Sequence, residues 1–87
     1  MEDIEKLWGC ACNGNNKELK KYFESGGVKN QRYHAFQKYH SLIAGAYRNR
    51  QYETVKYLLS IGETITEKEC GEIQNFIDIY MKGGNEL

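Results

Sequence analysis

Cysteine and histidine are the residues of this chain best suited to catalysis or metal binding. Their spacing argues against a catalytic or metal site. Cys10 and Cys12 stand two residues apart in a predicted helix, so their side chains point in nearly opposite directions and do not chelate one ion. His34 and His40 are six residues apart, which also places them on different helix faces. No glycine-rich phosphate loop or histidine–carboxylate motif accompanies them. We therefore predict no enzyme activity, no cofactor and no metal site.

Tyrosines interleaved with basic residues form a second group of candidate functional residues, which could bind a partner. From residue 29 to residue 50 the chain has five basic side chains, two histidines and no carboxylate, although the whole chain balances twelve Lys and Arg against twelve Asp and Glu. Tyrosine and arginine dominate many protein interfaces, and the same mixture stacks on bases and contacts phosphates. Packing at the edge of the core is the plainer explanation for part of the set. The overall charge balance favours a protein partner over nucleic acid.

Length and composition limit the class of protein. A chain of 87 residues fits one domain, and its three cysteines cannot all pair. The amino terminus does not resemble a secretory signal, and the longest apolar stretches fall far short of the roughly 20 residues that cross a bilayer. These features predict a cytoplasmic protein with no membrane contact.

Glycines punctuate the apolar periodic runs and predict where helices end. Gly14, Gly26, Gly62 and Gly83 each follow such a run, and the chain has no proline. Thr66 and Glu69 have the spacing of a capping box. The pattern predicts an all-α fold with five helices, at about residues 3–13, 16–25, 31–49, 51–61 and 66–82.

The chain also contains an internal repeat. A shift of about 36 residues places Leu7 on Ile43 and Gly26 on Gly62. Each copy reads as a helix, a tight turn, a second helix and a closing glycine. Neither helix pair can bury its apolar face alone, so the pairs are expected to stack side by side.

The second copy resembles an ankyrin repeat. Residues 41–47 read Ser-Leu-Ile-Ala-Gly-Ala-Tyr and residues 53–62 read Glu-Thr-Val-Lys-Tyr-Leu-Leu-Ser-Ile-Gly, which follows the apolar first helix, the second helix and the closing glycine of that family. The first copy matches more loosely, the Thr-Pro-Leu-His signature is missing, and Arg50 replaces the turn glycine. The long repeat leaves open whether β-hairpins form. The resemblance implies one ankyrin-like domain over residues 1–87, with repeats at about 4–30 and 34–66 and a C-terminal capping helix at about 67–82.

The resemblance also implies a binding face. Ankyrin domains bind through a concave face made by the loop before each first helix and the exposed end of that helix. In the second repeat this face comprises Gln37, Lys38, His40, Arg48 and Asn49, with Arg50, Arg32 and Tyr33 as neighbours. In the first repeat it comprises Glu2, Cys12 and Asn13. Its basic charge predicts a partner with an acidic surface.

The function predicted from these observations is a protein–protein interaction module that binds and inhibits a macromolecular partner. A narrower hypothesis is a phage, viral or bacterial effector that blocks a host protein. The alternative is a nucleic-acid contact module that uses the basic, tyrosine-rich segment 29–57. A further variant uses the acidic last helix and a residue before it as a nucleic-acid mimic, with the carboxylates of Glu63, Glu67, Glu69, Glu72 and Asp78. Because roughly three repeats usually make a stable stack, a homo-oligomer is a further hypothesis.

Overall fold

A computed structural model describes residues 4–83 of the chain, with side chains over residues 4–80. Glu2, one of the predicted contact residues, lies outside this range. No helix within the described residues is long and apolar enough to cross a membrane. In chain order the elements are α1 (Ile4–Asn13), α2 (Asn16–Glu24), β1 (Arg32–Ala35), β2 (Lys38–Ser41), α3 (Leu42–Arg48), α4 (Tyr52–Ser60), a 3-10 turn (Glu67–Glu69) and α5 (Cys70–Gly83).

The prediction of an all-α fold is wrong, because the segment predicted as the first half of a long third helix forms a β-hairpin. Strands β1 and β2 pair antiparallel, with Tyr33 opposite His40 and Ala35 opposite Lys38. The apolar spacing of residues 33, 36 and 40 fits a helical period, but Phe36 is 91% exposed at the hairpin tip. Only the second half of the predicted helix forms, as the short helix α3.

The four helices of the two pairs end on a residue with positive φ. Gly14, Gly26 and Gly62 have φ of 71°, 95° and 93°, and Arg50 takes the same position at the end of α3 with φ of 60°. After α3, Arg50 N donates to Tyr47 O at 3.0 Å, and the next amide donates to Ala46 O at 2.8 Å. This is the Schellman pattern, which satisfies the last carbonyls of a helix. Arg50 adopts a conformation there that glycine would adopt without strain.

Helix α3 lies at the centre of the core and packs against both α1 and α4. Its residues 42–46 are all buried, and Ile43 has no exposed surface. Small side chains let α1 come close: a Cβ on Gly45 would lie 2.9 Å from the Trp8 ring and 3.1 Å from Cys12 Sγ. Ile73, also fully buried, brings α5 into the same core.

A buried carboxylate connects the hairpin, α3 and the start of α5. Glu69 is 4% exposed, and its Oε2 accepts the Ser41 backbone N–H at 3.0 Å. Its Oε1 accepts the Ser41 hydroxyl at 2.7 Å and the Thr66 N–H at 2.9 Å, within the capping box that the sequence predicts. The Ser41 oxygen in turn accepts Ala44 N–H at 3.0 Å and so caps α3. Ser41 thus caps α3 and also binds the carboxylate at the start of the C-terminal helix.

A second buried carboxylate joins the loop before β1 to the loop after α4. Glu63 is 3% exposed, and its Oε2 accepts Asn30 N–H at 2.6 Å. Asn30 Oδ1 accepts the backbone N–H of Thr64 at 2.9 Å and its hydroxyl at 3.0 Å. Burial raises the pKa of the Glu63 carboxyl, and the Asn30 hydrogen bond and nearby Arg32 and Lys29 partly offset that rise. The two loops are therefore held together by direct polar contacts.

We expect Ser41→Ala to lower the free energy of unfolding by about 2–4 kcal/mol. The substitution removes the side-chain cap of α3, and it removes a hydroxyl donor from a buried carboxylate. Urea unfolding followed by circular dichroism measures the change. Ser60→Ala is the matched control, because Ser60 is exposed and its hydroxyl donates only to Tyr57 O. Equal effects of the two substitutions would contradict the role of Ser41.

Candidate interaction site at the hairpin

The hairpin rests on α1 through one aromatic contact. Trp8 stacks on Tyr33 with ring centroids 5.1 Å apart, and its centroid lies 5.3 Å from that of His40. Tyr33 and His40 face each other across the two strands, so they lie on the same side of the hairpin. On the other side, His34 and Tyr39 form a cross-strand pair with centroids 4.6 Å apart. Aromatic contacts therefore stabilise the hairpin on both of its faces.

The turn at the hairpin tip is strained. Phe36 and Gln37 form a two-residue loop with φ of 53° and 62°, which corresponds to a type I′ turn. That turn strongly prefers Asn-Gly, and an ordinary residue in the left-handed region costs roughly 1–2 kcal/mol. Because Phe36 is 91% exposed, it gains almost no burial in return. The domain itself therefore gives no compensation for a phenylalanine at this position.

Exposed side chains continue from the tip along the start of β2. Lys38 is exposed, and Tyr39 is 64% exposed although it contacts the His34 ring. We call the residues Phe36, Gln37, Lys38 and Tyr39 the hairpin surface. It combines two aromatic rings, an amide and an ammonium group on a rigid two-stranded support. Aromatic residues such as Phe36 and Tyr39 are enriched among the contact residues of protein interfaces.

A chain of polar contacts connects the base of the hairpin to α5. Arg48 Nη1 donates to His40 Nδ1 at 3.0 Å, which leaves the proton on Nε2 to donate to Ala35 O at 3.2 Å. Arg48 also forms a forked pair with Glu72, with Nε and Nη2 donating at 3.0 Å and 2.9 Å. The hydrogen bond with Glu72 raises the pKa of Arg48 and lowers the pKa of Glu72. Arg48 therefore positions α5 against the hairpin.

The eight predicted contact residues differ in exposure. His40 is buried, Arg32 and Tyr33 are partly buried, and the other five are exposed: Gln37, Lys38, Arg48, Asn49 and Arg50. Five of the eight have side-chain contacts inside the domain: those of Tyr33, His40 and Arg48 described above, Arg32 donating to Thr64 O at 3.0 Å, and Asn49 Nδ2 donating to Gly45 O at 2.8 Å. In the first repeat Asn13 is exposed, and Cys12 is half-buried, with a thiol pKa raised by that burial.

Sequence reasoning missed the two aromatic residues of the hairpin surface. The predicted helix at residues 31–49 places Phe36 on its apolar face, and Tyr39 is one of the several tyrosines that interleave with basic residues. The loop at residues 36–37 has no glycine, asparagine or aspartate, so the usual signal for a hairpin was missing. The available signal was the near repetition of Arg-Tyr-His-Ala at 32–35 and Lys-Tyr-His-Ser at 38–41, which flanks two residues.

One depression on the described surface is lined by none of the hairpin residues. It has a volume of about 600 Å³ and is lined by residues of α1, of α2 and of the loop that follows, including Glu18, Lys21 and Tyr22. Its lining mixes both signs of charge. Among the described residues, no three histidine, cysteine or carboxylate side chains lie together as metal ligands. The hairpin is therefore the better candidate for a functional site.

We expect replacing the tip by Asn-Gly, as Phe36→Asn with Gln37→Gly, to raise the free energy of unfolding by about 1–2 kcal/mol. The reason is that both new residues adopt positive φ at lower cost. Chemical denaturation of the double variant beside the natural protein measures the gain. If the variant were less stable, the turn would not be strained and Phe36 would contribute to the fold.

Comparison with known proteins finds no matching family model, and no curated protein and no solved structure matches the chain significantly. The ankyrin resemblance consequently remains a prediction from sequence motifs.

Proposed function

We propose that this protein is a protein–protein interaction module that contacts its partner through the hairpin surface. The observation that carries the proposal is Phe36, a large apolar side chain 91% exposed on a turn with two strained residues. Strain of this kind persists at functional sites, where the surrounding structure holds it in place. Because the Phe36 side chain contributes nothing to the core, we infer that it inserts into a pocket of the partner.

The energetics of such a contact favour binding. Burying a phenylalanine side chain fully is worth about 1.5–3 kcal/mol, and aromatic anchors often dominate an interface. The stacking of Tyr33 on Trp8 and the hydrogen bonds of Ser41 with Glu69 fix the base of the hairpin before a partner arrives. A preorganised contact loses less conformational entropy on binding. A rigid module of this kind acts by occupying a surface of its partner, as an inhibitory effector does.

Charge supports a partner with an acidic surface. Lys38 lies within the hairpin surface, and Arg50 and Lys68 are also exposed. None of these three cations forms an ion pair with a carboxylate of the described residues. Exposed charges of one sign raise the rate at which an oppositely charged partner associates.

The structure weakens the nucleic-acid alternative. The guanidinium of Arg32 contacts Thr64, and that of Arg48 is paired with Glu72, so both arginines are used within the domain. Tyr47 and Tyr52 pack around Phe76 with ring centroids 5.6 Å and 5.5 Å away. The acidic-mimic variant is also weakened, because two of its carboxylates, Glu63 and Glu69, are buried.

We expect Phe36→Ala to weaken partner binding by about tenfold or more, since the loss of the anchor removes most of its burial energy. Affinity capture from a lysate of the producing cell, at low and moderate salt, identifies bound proteins by mass spectrometry. Ile79→Ala is the matched control, because Ile79 on α5 is also an exposed large apolar residue, at 49%. A protein captured by the natural chain and the control, and lost with Phe36→Ala, supports the proposal.

Two outcomes would contradict the proposal. One is capture of nucleic acid alone, which would favour the basic segment as a nucleic-acid contact. The other is a protein retained equally by Phe36→Ala, which would place the contact on another surface. Measuring the unfolding of each variant beforehand ensures that lost binding does not reflect lost structure.

A further inference from the structure

A small pocket lies beside the hairpin surface, between β2, α3 and the start of α5. We call it the basal pocket; it has a volume of about 90 Å³. This is far below the roughly 300–1,000 Å³ of pockets that bury a drug-sized molecule. The space suits one compact group at the end of a side chain. The lining residues are Lys38, Tyr39, His40, Arg48, Thr66, Lys68 and Glu69.

Cations dominate the lining of the basal pocket. Lys38 comes from β2, Arg48 from α3 and Lys68 from the turn before α5, so three separate elements each bring a positive charge. Lys38 and Lys68 are exposed and form no ion pair with a carboxylate of the described residues. Since Glu69 is the one carboxylate in the lining, cations outnumber anions there, and such an excess attracts a negatively charged group.

The carboxylates near the basal pocket already accept hydrogen bonds from other parts of the chain. Both oxygens of Glu69 accept hydrogen bonds, from Ser41 and from the Thr66 N–H. Glu72 accepts from Nε and Nη2 of Arg48 and so neutralises that one cation. Neither Lys38 nor Lys68 is paired with these carboxylates. An incoming anion therefore meets two unpaired ammonium groups, opposed in the lining by the single carboxylate of Glu69.

The donors around the basal pocket also suit an anion. Each lysine offers three N–H donors. The guanidinium of Arg48 has five N–H groups; those described above bind His40 and Glu72, and one N–H on each terminal nitrogen is not used by them. Hydrogen bonds from cationic donors to carboxylate or phosphate oxygens are about twice as strong as neutral ones.

We propose that the basal pocket binds a compact oxyanion, a carboxylate or phosphate group, carried by the protein partner that contacts the hairpin surface. The pocket and the hairpin surface share Lys38 and Tyr39, so one ligand segment reaches both. Phe36 at the tip supplies the apolar contact, and the basal pocket binds an anionic group of the same partner segment. The identity of the carrier rests on the proposed function, whereas anion binding is tested without any partner.

The test is a titration of the full chain with inorganic phosphate and with acetate, each against sodium chloride of equal ionic strength. Two-dimensional ¹H–¹⁵N NMR follows the backbone amides of residues 38–41 and 66–70. We expect saturable shifts at these amides with phosphate, with acetate or with both. In the double variant Lys38→Ala, Lys68→Ala the apparent Kd should rise by about tenfold or more, because two charged contacts are lost.

Lys17→Ala combined with Lys21→Ala is the matched control, since it removes the same charge from the exposed face of α2. Binding retained by this control and lost in the Lys38, Lys68 variant supports a built site. Phosphate alone as ligand indicates a phosphorylated partner, and acetate as ligand indicates an acidic side chain. Shifts that do not saturate, that chloride reproduces, or that survive in the Lys38, Lys68 variant would overturn the proposal. None of these outcomes depends on Phe36, so the two proposals fail separately.

Discussion

The buried carboxylate of Glu69 is the contact on which the arrangement of this domain depends. An ionised carboxylate at 4% exposure is costly unless hydrogen bonds replace its lost water. Here Ser41 supplies two donors and Thr66 a third. The same contact fixes where β2 ends, where α3 begins and where α5 begins. Loss of the two Ser41 donors would uncouple the hairpin from the C-terminal helix and leave the buried carboxyl group with Thr66 as its remaining donor.

This anchored base allows strain at the other end of the hairpin. Trp8 holds Tyr33 and His40, and the close approach of Gly45 to the Trp8 ring fixes the position of that indole. A two-stranded ribbon alone is only marginally stable in water. Because Trp8 of α1 packs against its base, the hairpin tolerates an unfavourable turn at Phe36 and Gln37. The fold thus combines a firm support with an exposed aromatic tip, and the basal pocket lies between them.

Local sequence signals predict most of the helices, but they do not predict the hairpin that replaces the first half of the third predicted helix. Helices α1, α2 and α4 lie within about two residues of their predicted positions, because apolar periodicity and turn residues such as Gly14 and Gly62 act locally. The capping box of Thr66 and Glu69 is present for the same reason. At residues 36–37 the local preference opposes the turn, and tertiary contacts to Trp8 and Glu69 override it.

Contacts between residues far apart in sequence determine the candidate site even more than they determine the hairpin. Arg32 and Arg48 read in sequence as free cations of a basic segment, yet their partners, Thr64 and Glu72, lie 32 and 24 residues away along the chain. Conversely, Lys68 belongs to an acidic stretch of sequence, and folding brings it beside Lys38 in the basal pocket. Charge counted along the chain therefore points to the region of the candidate site, and only the fold shows which of these charges are unpaired.

Native-state hydrogen exchange of the Ser41 amide tests most directly whether the buried Glu69 carboxylate anchors the hairpin. That amide donates to Glu69 Oε2, so its exchange reports the opening of this contact. If the anchor holds the fold together, Ser41 exchanges only through the opening that also exposes the buried part of α3, such as Ala46, and both give the same opening free energy. If Ser41 exchanges about a hundredfold faster than Ala46, through a local opening, the anchor is weak and the account of a preorganised hairpin is contradicted.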